Sequence, residues 1–66
     1  MKSYNSKEVI KILKANGWVL LRVRGSHNYF VNPNKKEFGK ITVPHPKKDL
    51  PAKTVESIFK QAGLKF

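Results

Sequence analysis

The sequence predicts an α+β fold of order α-β-β-β-α, in which a three-stranded antiparallel sheet carries two helices on one face. Three observations support it. Apolar residues recur at helical spacing near both ends of the chain, and the stretch between them is rich in β-branched and aromatic residues. Gly25-Ser26 interrupts that stretch as a hairpin turn does. Sixty-six residues with 39% hydrophobic content fill one core, so residues 1–66 read as a single domain.

In the first helix, Asn5 or Ser6 serves as cap, Val9, Ile10 and Leu13 turn inward, and Ile12 lies at the edge of that stripe. Lys7, Lys11 and Lys14 face water. Gly17 stands where a left-handed residue closes a helix, and Trp18 packs back on the last turn. Two strands follow, Trp18 to Arg24 and His27 to Val31, joined by Gly25-Ser26 as a two-residue type II′ turn. The run Asn32-Pro33-Asn34-Lys35-Lys36 is turn chemistry, and Lys40 to Val43 alternates as a half-buried strand that Pro44 and Pro46 end. Pro51 suits the first turn of a second helix, where Val55, Ile58, Phe59 and Ala62 form one apolar face. Gly63 terminates it and Leu64 closes the cap. Tyr4, Trp18 and Phe66 are expected to pack.

A two-residue turn fixes the pairing of the hairpin: Arg24 opposite His27, Val23 opposite Asn28, Arg22 opposite Tyr29 and Leu21 opposite Phe30. Val19, Leu21 and Val23 should therefore join Phe30, Ile41 and Val43 under the helices. Arg22, Arg24, His27 and Tyr29 should share the uncovered face.

Fourteen Lys and Arg against four Asp and Glu give a net charge of +10 and a pI near 10.3. Such a field attracts polyanions, so nucleic acid or an acidic protein is the expected partner. With no cysteine there is neither a disulfide nor a thiolate metal cage, and a reducing cytoplasm is the expected compartment. The longest apolar run, Trp18 to Leu21, is far too short for a bilayer, and the lysines are dispersed along the chain, so no membrane partner is expected. Two distant histidines and the scattered Glu8, Glu37, Asp49 and Glu56 suggest neither a metal site nor a cofactor. A helix-turn-helix is excluded by the sheet that separates the helices.

Several stretches together resemble one family. Gly17-Trp18 closes the first helix, Gly25-Ser26-His27 forms the hairpin and Thr42-Val43-Pro44-His45 ends the third strand. Ile58-Phe59-Lys60-Gln61-Ala62-Gly63-Leu64 ends the second helix. In this order they resemble HicA, the toxin of HicA–HicB toxin–antitoxin systems, over almost the whole chain. The resemblance implies a double-stranded-RNA-binding-domain-like fold, cleavage of messenger RNA, and inhibition by a HicB-type antitoxin. It also implies that His27, the histidine of the Gly-Ser-His triplet, is catalytic. Members often carry Gly-Thr at the start of the second helix, where this chain has Lys53-Thr54.

A lone histidine suffices for such chemistry because the ribose 2′-OH is the nucleophile and imidazole can accept or give a proton near neutral pH. Arg22 and Arg24 would stabilise the phosphate as charge builds on it. Ser26, Tyr29, Lys40, Lys47 and Lys48 complete the candidate RNA contacts, the last two beside a helix N-terminus that favours anions. His45, between two prolines, reads as a conformational or phosphate-contacting residue. The alternative is a non-catalytic RNA-binding or ribosome-associated module, which would have the same charge and fold but no use for an imidazole at position 27.

Overall fold

The computed structural model describes residues 4–65. Its elements are α1 (Ser6–Ala15), β1 (Val19–Arg24), β2 (His27–Val31), a 3₁₀ turn over Lys36–Phe38, β3 (Ile41–Pro44) and α2 (Ala52–Gln61). The three strands form one antiparallel sheet in the order β1-β2-β3. The third strand starts one residue later than the alternation suggests and takes in Pro44. Phe66, expected to pack, lies outside the described residues.

Capping explains where the helices begin and end. Asn5 Oδ1 accepts the Glu8 amide at 2.8 Å while the Glu8 carboxylate accepts the Asn5 amide at 3.3 Å, a capping box that makes Ser6 the first helical residue. Its hydroxyl is thereby released for another use. Pro51 stands just outside α2 as its N-cap, with φ −56° and ψ 143°, because an extended ψ there lets the chain turn into the helix at Ala52. Both helices end in the same closure. The Trp18 and Gly17 amides donate to the Leu13 and Lys14 carbonyls, as those of Leu64 and Gly63 do to Phe59 and Lys60. At Gly63 the φ of +72° is matched by a steric demand, since a Cβ there would lie 2.6 Å from the Phe38 ring.

The core contains Val9 and Leu13 of α1, Trp18, Phe30 of β2, Ile41 and Val43 of β3, Leu50, and Val55, Ile58, Phe59 and Ala62 of α2. Val9 and Leu13 of α1 and the four α2 residues turn inward as expected, whereas Ile10 is only partly buried and packs at the margin of the core together with Ile12. Tyr4 meets Phe59 edge to face at 6.0 Å between ring centres. The Trp18 indole N–H is buried without an acceptor among the described residues.

One expectation is overturned. Val19, Leu21 and Val23 do not lie under the helices; they are 47%, 54% and 56% exposed, and no residue of β1 is buried. Two features account for this. The register holds from Arg24–His27 to Arg22–Tyr29, but the ladder then slips, so that Leu20 rather than Leu21 lies opposite Phe30 and Val19 opposite Val31. Leu21 is the extra residue of a β-bulge, and one extra residue reverses the alternation beyond it. Both helices, moreover, pack against β3 at the other side of the sheet. The segment after β3 holds α1 there: the Ser6 amide donates to the Lys47 carbonyl at 2.8 Å and the Leu50 amide to the Tyr4 carbonyl at 2.7 Å.

Candidate active site

The hairpin turn orients the central histidine. Gly25 has φ +58° and no non-glycine residue among the described ones has positive φ, so Ser26 is excluded from a type I′ turn and the pair is type II′. That two-residue turn holds Arg24 opposite His27, while on its other side His27 pairs with Pro44. Asn28 and Phe30 are buried, so alternation turns His27 and Tyr29 to the opposite face, together with Arg22, Arg24 and Thr42. His27 is exposed there.

Beside it opens a groove of about 450 Å³, lined by His27 and Thr42 from the sheet and by Lys53, Thr54, Ser57 and Gln61 from α2. The helix residues recur about once per turn, next to the stripe of Val55, Ile58, Phe59 and Ala62 that enters the core. One flank of α2 is therefore core and the adjoining flank is groove. Gln61 Nε2 donates to Ser57 Oγ at 3.2 Å, which orients two polar side chains along the wall. Sequence reasoning missed these four residues. Their spacing was visible, but a polar helical flank usually faces solvent, and only the docking of α2 beside β3 brings this one to His27.

The other candidate residues fall into two groups. On the open sheet face Lys40 Nζ sits 4.6 Å from the centre of the Tyr29 ring, a cation–π contact, with Arg22 as the cross-strand neighbour of Tyr29. Ser26 lies in the turn, where its carbonyl accepts the His45 amide at 2.8 Å. Lys47 and Lys48 are not part of the His27 groove; with Lys7, His45 and Pro46 they line a separate depression of about 440 Å³.

His45 has a structural tie. Its Nδ1 is 2.7 Å from Ser6 Oγ, and that hydroxyl accepts the Lys47 amide at 2.9 Å. A hydroxyl that accepts one amide still has a proton for a neutral imidazole nitrogen. Ser6, only 2% exposed, thus joins the end of β3 to the start of α1.

Among the described residues no three His, Asp or Glu side chains converge as metal ligands, and no helix is long and apolar enough to cross a membrane. No curated protein matches the chain. The family described as HicA toxin of bacterial toxin–antitoxin matches residues 6–64, from the first residue of α1 to the Leu64 that closes α2, with the whole His27 groove between them. The chain therefore belongs to the HicA toxin family.

Proposed function

We propose that this chain is a metal-independent endoribonuclease that cleaves messenger RNA in the cytoplasm with His27 as its one catalytic side chain, and that a HicB-type antitoxin neutralises it. The observation that carries this reading is the setting of His27, an exposed imidazole fixed by a tight turn, between Arg24 and a groove walled by Lys53, Thr54, Ser57 and Gln61.

In the reaction the ribose 2′ oxygen attacks the adjacent phosphorus and loses its proton, and the bond from phosphorus to the 5′ oxygen breaks as that oxygen gains one. His27 accepts or supplies one of these protons and water carries the other. A single general acid or base contributes roughly 10²- to 10⁴-fold. Arg24 and Lys53 bring positive charge from opposite sides to the phosphate as it gains negative charge. Arg22, Ser26, Tyr29 and Lys40 extend the contact along the open sheet face, and Lys47 and Lys48 engage phosphates further along the strand.

This route requires the substrate's own hydroxyl. Once a cleavage site has been mapped in a short RNA, a single 2′-deoxy substitution at that nucleotide should abolish cutting there, and the natural RNA should yield a 2′,3′-cyclic phosphate or its 3′-phosphate hydrolysis product. Efficient cutting of the 2′-deoxy substrate would refute the mechanism. Binding of RNA without any cutting would leave the non-catalytic module.

A further inference from the structure

The exposed edge of the sheet has a chemistry of its own. Leu20 and Val23, 45% and 56% exposed, lie opposite Phe30 and Asn28 and so extend the helix-covered face beyond the helices. Arg22 and Arg24 lie on the other face of the same strand. As the edge strand, β1 also presents a row of main-chain amides and carbonyls with no strand beyond it among the described residues. From Val9 to Lys36 the chain has no acidic residue, so nothing within this hairpin balances its two guanidiniums.

We propose that β1 is a docking edge for an extended acidic segment of the antitoxin, which adds a fourth strand to the sheet. Its alternate side chains would place aliphatic groups on Leu20 and Val23 and carboxylates against Arg22 and Arg24. The identity of the partner rests on the toxin–antitoxin reading; the surface does not depend on RNA cleavage. Two other occupants fit less well. A second copy would pair one arginine-bearing strand with another, between molecules of charge +10 each. RNA gains little from aliphatic side chains, which offer no stacking plane, and the main-chain row matches a peptide. Because Arg24 is the cross-strand neighbour of His27, a carboxylate bound to it would also withdraw a positive charge from the groove.

The test uses the full chain and its HicB-type antitoxin. Hydrogen exchange of the β1 amides should slow at least tenfold in the complex, and Leu20→Thr/Val23→Thr, which preserves strand propensity and the charge, should weaken antitoxin binding at least tenfold. Circular dichroism of the variant serves as the folding control, and the exchange measurement on the unaltered chain stands whether or not the variant folds. Absence of a complex, unchanged β1 exchange within it, or unchanged affinity of a folded variant would overturn the proposal. So would a concentration-dependent dimer of the chain alone that protects β1, or protection of β1 by RNA alone. Neither readout involves cleavage, so a failure here is distinct from a failure of the ribonuclease reading.

Discussion

At the scale of single residues, Ser6 is the side chain whose role is least apparent from its position in the sequence. Serine near a helix start suggests a cap, yet Asn5 holds that place and Ser6 is buried with the Lys47 amide and His45 Nδ1 on its hydroxyl. Ser6→Ala should destabilise the fold by about 0.5–1.5 kcal/mol, the net worth of a typical hydrogen bond, since it strips the Lys47 amide of its acceptor. Urea unfolding with an unchanged slope would register this. Gly63→Ala should cost about 1–2 kcal/mol from its left-handed backbone alone, and more if the Phe38 ring cannot move away. Thermal unfolding checks it, and a melting temperature equal to that of the unaltered chain would show that the closure of α2 tolerates a side chain. The need for glycine at positions 17, 25 and 63 was legible because turn and closure geometry act locally. The hydroxyl of Ser6 was not, because its partners lie about 40 residues away along the chain.

At the scale of elements, both helices were legible from their inward faces, and so was the hairpin near its turn, where Arg24, Val23 and Arg22 meet the partners expected of them. The bulge at Leu21 was not. Val19-Leu20-Leu21 contains no glycine or polar residue to mark an irregularity, and either aliphatic side chain could stand opposite Phe30. The width of helix cover was equally hidden, because an inward stripe says which side of a helix is buried and not which strand buries it. The α2 flank of Thr54, Ser57 and Gln61 went unrecognised for the same reason. If that flank contacts bases beside the cut, Ser57→Ala and Gln61→Ala should change which sequences are cleaved while shifting stability by no more than about 0.5 kcal/mol, as for other exposed substitutions. Cleavage-site mapping on a mixed RNA pool would test this, and an identical cleavage pattern would exclude the flank from recognition.

At the scale of the whole molecule, the dominant property is the charge of +10, and it was fully legible. What the sequence did not disclose is that Lys7, Lys47 and Lys48 line a depression separate from the one at His27. If RNA runs across both, Lys47→Glu/Lys48→Glu should weaken binding with little dependence on sequence, and each lost phosphate contact should reduce the salt slope by about 0.7 for a single strand. An unchanged slope would move the RNA track off the second depression. The central claim concerns the first depression and is tested most directly by comparing cleavage and binding of one defined RNA by the unaltered chain and by His27→Ala, with circular dichroism as the folding control. Because His27 is exposed and outside the core, its truncation opens no cavity, and the variant should fold, bind RNA nearly as well, and cut it at least 100-fold more slowly. Cleavage at the unaltered rate by a well-folded His27→Ala protein would contradict the account.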